Sequence, residues 1–234
     1  MAKKHIDKFN MNSDYVKSMV YGGLDGIITT FAVVSGVTGG ALDFRVVIIL
    51  GFSNLLADGL SMAVGDYLSS KSENEFIDKE ITQHKATFKD NYPSEIDNLK
   101  QNYLEKGLVE KDAALLAETF AKYPEAFEQE RINMLFGADE MDSHPIKNAL
   151  VTFFSFVIYG FIPLIAYVFS SFSPFLMNNT FTVASVLTGL TLFTLGAVKS
   201  RLTLTNWFKS GMEMLLIGGA AAIVAYGIGY ILGN

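Results

Sequence analysis

The residue types best suited to chemistry lie in one short stretch of this sequence, NLLADGLSMAVGD, which runs from position 54 to position 66. Asn54, Asp58, Met62 and Asp66 recur every four residues, so on an α-helix they would form one slowly turning stripe. Carboxylate and amide oxygens beside a thioether suit a divalent first-row cation better than a sugar or an anion. Oxygen ligands alone suit Mg²⁺, Ca²⁺ or Mn²⁺, whereas the softer sulfur favours Fe²⁺ or a later metal.

Asp25 and Glu213 are two further acidic residues inside apolar runs. An aspartate near the centre of a membrane helix costs about 2.5 to 3.5 kcal/mol on insertion scales, so such residues need a reason. At about 1.5 Å per residue, Asp25, Asp58 and Glu213 would all lie roughly 9 to 15 Å from the inner face of the bilayer core. We therefore predict that they share one layer of a cation pathway. The structural alternative is that neighbouring Ser, Thr or backbone groups satisfy the acids, and that Met62 is a packing residue.

Five apolar runs must position these residues, and they define the fold class. The chain has 234 residues, of which 50% are hydrophobic. Each run has the roughly 17 to 25 residues that a membrane-spanning helix needs. The runs are 19–42, 46–68, 149–169, 181–198 and 212–232. The sequence therefore predicts an all-α integral membrane protein with five transmembrane helices. The predicted domains are 1–70 with the first two spans, 71–147 as an acidic cytosolic helical insert, and 148–234 with the last three spans.

The distribution of Lys and Arg predicts the orientation, because cytoplasmic loops retain basic residues. With the N-terminus in the cytosol and the C-terminus outside, all of the 18 basic residues except Arg45 lie on the cytosolic side. The absence of cysteine excludes disulfides and thiolate metal sites. Acidic residues outnumber basic ones in 71–147, which argues against nucleic acid as a partner. A bacterial cytoplasmic membrane is the expected location, and a vacuolar membrane is the alternative.

The insert carries candidate metal ligands of its own. The second span has no stop signal after Asp66 and should continue as a helix as far as Pro93. Ser94 and Asp97 resemble a capping box that opens a short helix ending at Gly107. Two more helices should follow, in VEKDAALLAETFAKY and PEAFEQERINMLFG. Residue pairs on one helical face could chelate a divalent cation, or they could simply be solvated. The candidate pairs are Glu80 with His84, Glu125 with Glu128, and Glu130 with Met134.

Glycines flank Asp25 in the first span. Gly22 and Gly26 form a G-x-x-x-G pattern around it, and small residues at this spacing let membrane helices approach closely. Close packing is the simpler interpretation. The alternative is that glycine-rich backbone leaves room for an ion or lets the helix break at this point.

Several segments together resemble the vacuolar iron transporter family. They are YGGLDGIITTFAVVSGVTGG, ADGLSMAVGDYLSSKSE, the acidic insert, GFIPLIAYVF and LGAVKSRLTLTNWFKSGMEMLLIGGAAAIVAYGIG. The resemblance covers nearly the whole chain and agrees with five spans. It implies a homodimer whose first spans line a central pathway, with Fe²⁺ leaving the cytosol in exchange for protons. It also implies that Asp25 and Met62 carry the metal through the membrane.

The sequence departs from the family's pattern in two places. Asn54 stands where better known members have a glutamate in the second span, and Asp58 supplies an acid one turn further on. In the insert, family members bind metal through E-x-x-E pairs and a Met-Met-x-x-Glu segment, whereas this chain has NEFIDKEITQHKATFKDNYPSEIDNL and ERINMLFG. We expect any metal bound by the insert to be held more weakly than in typical members. The approximate match is Glu95, and the neighbours of the expected positions are His84, Glu130 and Met134.

The sequence therefore predicts a secondary transporter that exports Fe²⁺, and also Mn²⁺, from the cytosol in exchange for protons. The protons would pass through Asp25, Asp58 and Glu213. The metal is cargo, and no tightly bound cofactor is expected. The alternative is a membrane-anchored protein that binds or senses divalent metal without transport. An enzyme is not predicted, because the sequence has no H-E-x-x-H or G-x-S-x-G pattern and its three histidines lie outside the spans.

Overall fold

The computed structural model describes residues 2–136 and 144–233, with all side chains in those ranges except 2–14, 84–90, 136 and 202–203. Over these residues the chain forms nine α-helices and a short 3₁₀ turn at Ser170–Phe172, and no strand. The helices are α1 (Ala2–Gly39), α2 (Phe44–Asp90), α3 (Tyr92–Glu105), α4 (Glu110–Ala121), α5 (Pro124–Phe136), α6 (Pro145–Val168), α7 (Pro174–Asn178), α8 (Thr180–Thr203) and α9 (Trp207–Gly233).

Five segments are long and apolar enough to cross a membrane, which confirms the predicted fold class. They are Tyr15–Gly39, Phe44–Gln83, Pro145–Phe172, Thr180–Arg201 and Trp207–Gly233. The chain divides into two compact units. We call Met1–Leu68 with His144–Asn234 the membrane unit, and Ser69–Ser143 the insert.

The second span continues into the insert without interruption, as the sequence predicted. Helix α2 has 47 residues and ends at Asp90. Helix α3 begins at Tyr92, with Asn91 as an N-cap that makes no side-chain hydrogen bond. The predicted capping box at Ser94 and Asp97 is therefore wrong. Pro93 lies inside the first turn of α3, where its missing N–H group leaves no hydrogen bond unmade.

Helix α1 is the central helix of the membrane unit, because it contacts α6, α8 and α9. Its Phe31 belongs to the larger apolar cluster, together with Leu55 of α2 and Phe156 of α6. Its Ile27 belongs to a second cluster with Leu192 of α8 and Met214 of α9. The two clusters bury apolar side chains inside the bundle, and the outward faces of the helices around α1 stay exposed.

The contact between α1 and α6 depends on glycine. A Cβ atom on Gly22 would lie 2.6 Å from the carbonyl oxygen of Thr152, and one on Gly26 would collide with the carbonyl of Phe156. From the other side, a Cβ atom on Gly160 would lie 2.7 Å from the carbonyl oxygen of Gly26. The close-packing interpretation of the G-x-x-x-G pattern therefore describes this structure, and α1 continues through it without a break.

A second glycine contact joins α1 to α9. A Cβ atom on Gly229 would collide with the carbonyl of Gly36, and one on Gly39 would collide with the carbonyl of Tyr226. Helix α1 is thus held by direct contact between main chains at two levels, against α6 near its middle and against α9 near its C-terminal end.

The insert has its own apolar core, formed by α3, α4 and α5. Leu99 and Tyr103 of α3 pack against Ala113 and Ala117 of α4 and against Phe127 of α5. Gly107 ends the turn after α3 with a φ angle of +93°, which glycine adopts without strain. The helices predicted in this region are therefore present, and they share one small core.

A buried ion pair links α3 to α5 inside the insert. Glu95 and Arg131 are only 8% and 7% exposed. Arg131 donates from Nε and Nη2 to Oε2 of Glu95, at 3.1 and 2.9 Å. Asn98 donates from Nδ2 to Oε1 of Glu95 at 3.4 Å. A buried carboxylate needs such a counter-charge, and Arg131 supplies it.

We expect Gly26→Ala to destabilise the membrane unit, because the added methyl group meets the main chain of α6. Overpacking of this kind costs about 1 to 3 kcal/mol, more than the roughly 1 kcal/mol of helix propensity gained by replacing glycine. The measurement is the thermal unfolding midpoint of the purified protein in detergent. Gly219→Ala is the matched control, because a Cβ atom there meets nothing within 4 Å. Equal midpoints for the two variants would contradict the packing interpretation.

We expect Arg131→Met to loosen the insert, because Glu95 would remain buried without its counter-charge. Breaking a buried pair from one side costs about 3 to 5 kcal/mol, whereas replacing both partners by apolar residues is often neutral. The measurement is amide hydrogen exchange in α3 and α5 of the full chain. Protection should fall in the single variant and return in Glu95→Leu combined with Arg131→Met. If a chelator alone abolished the protection in the unmodified chain, a metal rather than Arg131 would be neutralising Glu95.

Candidate functional site

The predicted stripe of residues winds around α2. Its direction therefore changes, along the helix, relative to the face of α2 that packs on α6. Leu55 marks that face, because it lies against Gly160. Each step of four residues turns the stripe by about 40°, so Asn54 points roughly 100° away from the direction of Leu55, and Asp58 roughly 60° away. Asp66 lies only about 20° from that direction. The stripe therefore begins on the flank of α2 and ends facing α6.

Asp66 is held by hydrogen bonds at the end of the stripe. Thr152 of α6 donates from Oγ1 to Oδ2 of Asp66 at 2.6 Å, and Ser18 of α1 donates to the same oxygen at 3.5 Å. One carboxylate thus joins three helices of the membrane unit. Asp66 is therefore satisfied by hydrogen bonds from Thr and Ser within the membrane unit.

Asp25 of α1 and Asp58 of α2 form a different arrangement. Both are partly buried, and the charge of Asp58 acts on the carboxyl group of Asp25. Among the described residues, no group donates a hydrogen bond to either carboxylate. Thr29 donates instead to the main-chain carbonyl of Asp25, at 2.8 Å. Unlike Asp66, these two acids are not satisfied by their neighbours, so they are available to a cation or a proton.

Asn54 and Met62 flank Asp58 on the stripe, one turn to either side. The Nδ2 atom of Asn54 is buried, and it has no hydrogen-bond partner in the part of the chain that the structure describes. Met62 is partly buried against the cluster that contains Leu55 and Phe156, so its packing role is present in this structure. An unpaired amide and a thioether therefore border the carboxylate pair.

Glu213 is separate from the other acids. It is exposed on α9, whereas the neighbouring Met214 is buried in the cluster with Ile27. No three His, Cys, Asp or Glu side chains come together anywhere in the described residues. The structure thus places Asp58 close enough for its charge to act on Asp25, and it adds no third acid to the two among the described residues. The shared depth of the three acids stays a prediction.

The candidate ligands on α3 and α5 of the insert have other partners in this structure. Glu95 pairs with Arg131. Glu130 accepts a hydrogen bond from the hydroxyl group of Tyr103 at 3.1 Å. Burial and the neighbouring Glu130 charge raise the pKa of Tyr103 to about 12, so this hydroxyl remains protonated and continues to donate near neutral pH. Met134 packs against the core of the insert.

The remaining candidates lie on α2 and α5. Glu80 and Glu128 are partly buried, and the side chain of His84 lies outside the described residues. The described side chains of the insert contain no cluster of three potential ligands. A metal site in the insert therefore stays a prediction.

The residues that pair with Asp66 and with Glu95 were not identified from the sequence. Thr152 is a polar residue inside the apolar run 149–169, and a search for donors at the depth of Asp66 could have found it. Arg131 is one of many charged residues in the insert, and nothing in its spacing indicates a buried pair with Glu95.

Comparison with known proteins gives relatives that span nearly the whole chain. A protein of Toxoplasma gondii named vacuolar iron transporter is 36% identical over 231 residues, covering 95% of this chain and 76% of its own length. The vacuolar iron transporter of Plasmodium falciparum is 30% identical, covering 99% and 87%. Vacuolar iron transporter 1 of Arabidopsis thaliana is 25% identical, covering 95% and 88%. These relatives are named as transporters, in agreement with the prediction that the chain is not an enzyme. The model of the VIT family matches residues 16–230, which confirms the resemblance noted in the sequence: the chain belongs to the VIT family.

Proposed function

We propose that this chain transports Fe²⁺ out of the cytosol, with Mn²⁺ as a second cargo, in exchange for protons. The observation that carries the proposal is that Asp25 and Asp58, both partly buried on two different spans, receive no hydrogen bond from the described residues, while the charge of Asp58 acts on Asp25. The names of the relatives, which are vacuolar iron transporters, support iron as the cargo.

The carboxylate pair gives exchange a physical basis. Two carboxylates close together in a low-dielectric surrounding cannot both remain charged at low cost, so a proton or a divalent cation must neutralise them. Fe²⁺ and protons then compete for Asp25 and Asp58. Metal arriving from one side releases protons, and protons arriving from the other side release metal.

The rest of the stripe has supporting roles in this proposal. The amide of Asn54 and the thioether of Met62 offer further ligands on either side of Asp58. Mixed oxygen and sulfur ligands favour Fe²⁺, and they still accept Mn²⁺ through oxygen. Asp66 holds three helices together, and Glu213 offers a proton-accepting group outside the pair.

We propose that a single chain supplies half of such a pathway and that a second copy completes it. Tyr21 lies one turn from Asp25 on α1 and is 64% exposed. A homodimer related by a two-fold axis would place the same surface of both α1 helices face to face, with four carboxylates around one channel. The N-terminus would be cytosolic and the C-terminus outside, in the cytoplasmic membrane of a bacterium or, alternatively, in a vacuolar membrane.

We expect Asp25→Asn to lower the initial rate of Fe²⁺ entry into proteoliposomes at least tenfold. At about 4 Å and an effective dielectric constant of about 20, one carboxylate contributes roughly 4 kcal/mol to a charge interaction, and each 1.4 kcal/mol corresponds to about tenfold. The measurement is metal entry with an internal pH dye, for Fe²⁺ and Mn²⁺ separately.

The control for this experiment is Asp43→Asn. Asp43 is exposed, and it accepts a hydrogen bond from the main-chain N–H of Arg45 at 2.8 Å, a role that Asn performs equally well. This variant should keep its flux and its opposing proton movement. If the unmodified protein carried neither metal under a proton gradient but still bound metal, the chain would be a membrane-anchored binding or sensing protein, and the transport proposal would fail.

We expect Tyr21→Cys to give a covalent dimer with a short bismaleimide in membranes. The chain has no other cysteine, so a crosslink reports only the introduced position. Leu190→Cys on α8 is the control, because Leu190 is similarly exposed, at 60%, and lies on a different span. Crosslinking from Leu190→Cys but not from Tyr21→Cys would place the partner on another face of the bundle and contradict the proposed pathway.

A further inference from the structure

The turn between α8 and α9 borders an open cavity that the transport proposal does not use. Its volume is about 860 Å³. Its apolar walls include Phe193, Val198 and Leu204, and its rim carries Arg201 and Trp207. The cavity therefore combines a hydrocarbon-like lining with one positive charge.

Two helix caps set the conformation of the turn that borders this cavity. Leu204 ends α8 in the left-handed conformation, with a φ angle of 51°, and its side chain is 94% exposed. Asn206 then caps α9, because its Oδ1 accepts hydrogen bonds from the main-chain N–H groups of Phe208 and Lys209 at 3.0 and 3.2 Å. The chain thus reverses direction within three residues.

An aromatic cluster forms one side of the cavity. The ring of Phe193 lies 6.0 Å from Trp207 and 5.8 Å from Phe208, both edge to face. Trp207 is nevertheless 57% exposed. Tryptophan at the end of a membrane span sits at the level of the lipid head groups, and its indole N–H is a hydrogen-bond donor. The cavity therefore opens at the height where head groups and acyl chains meet.

Two exposed basic residues, Arg201 and Lys209, lie at this turn. Arg201 lies in the last turn of α8 and Lys209 in the first turn of α9. Both are exposed, and neither forms an ion pair with another described residue. A guanidinium group binds a phosphate by two parallel hydrogen bonds, and basic pockets between membrane helices are typical sites for anionic head groups.

We propose that this cavity binds an anionic phospholipid, with its phosphate at Arg201 and an acyl chain along Val198 and Phe193. Charge complementarity favours an anionic lipid over a neutral one, and the apolar walls favour a lipid over free phosphate. The proposal does not depend on which ion the chain transports.

The single tryptophan of the chain makes a direct test available, because Trp207 is the only source of tryptophan fluorescence and borders the cavity. The full chain is reconstituted in phosphatidylcholine vesicles containing a small, equal fraction of brominated phosphatidylglycerol or brominated phosphatidylcholine. Bromine on the acyl chain quenches a nearby indole. We expect the cavity to prefer the brominated phosphatidylglycerol over the brominated phosphatidylcholine by about fivefold, seen as stronger quenching of Trp207. A factor of this size is the contribution of roughly one basic residue at an anionic surface.

Matched variants separate the site from general attraction to charge. Arg201→Gln should lose the preference, and Arg201→Lys should retain part of it. Arg45→Gln removes one exposed charge at the start of α2, which the connectivity of the spans places at the opposite end of the bundle, and it should quench like the unmodified chain. An unchanged emission maximum of Trp207 in vesicles without bromine verifies that each variant keeps the local fold.

Three results would overturn the proposal. Equal quenching by the two brominated lipids would remove any selectivity for the anionic head group. An equal loss in Arg45→Gln and Arg201→Gln would show a non-specific charge effect. Reversal of the quenching by excess soluble glycerol phosphate would show that the cavity recognises a free phosphate group rather than a lipid.

Discussion

The contact of main chain against main chain between α1 and α6 is the constraint on which the membrane unit depends. Without side chains at Gly22, Gly26 and Gly160, the two helices approach closely enough for backbone carbonyls to touch the opposite helix. Hydrocarbon provides little hydrophobic force between helices, so close packing must hold them together. Because α1 also contacts α8 and α9, fixing α1 against α6 fixes the positions of both. Asp25 lies between two of these glycines, so its position is set by packing that has no chemical role of its own.

The acids of the membrane unit divide into two kinds by their hydrogen-bond partners. Asp66 accepts a short hydrogen bond from Thr152, and this bond joins α2 to α6. Asp25 and Asp58 influence one another and receive no hydrogen bond from the described residues. An unsatisfied acid in a bilayer is expensive, so the fold keeps this cost where a mobile charge from outside can offset it. A similar division holds in the insert, where Arg131 satisfies Glu95 within the protein.

The sequence was sufficient for the fold because membrane helices need long apolar runs, and such runs are visible without a structure. It was also sufficient to place Asp25, Asp58 and Met62 on spans, since polar residues stand out inside those runs. It could not distinguish Asp66 from Asp58, because their difference lies in Thr152, almost ninety positions away along the chain. The start of α3 was misplaced for a local reason, since Pro93 is compatible with both a helix end and a first turn.

Helix α2 differs from the other spans in the way that it is held. Helix α1 meets α6 and α9 through main-chain contacts at glycine, whereas α2 meets α6 through the side chain of Leu55 and the bond from Thr152 to Asp66. Moving two main chains apart leaves a gap along a whole helical turn. Contacts made by side chains, such as those between α2 and α6, can instead be exchanged when a side chain changes its rotamer. Helix α2 is therefore held to α6 by side-chain contacts and a hydrogen bond rather than by main chain against main chain. Since α2 carries Asp58 and α1 carries Asp25, the separation of the two carboxylates is set by side-chain contacts of this kind and not by the glycine packing of α1.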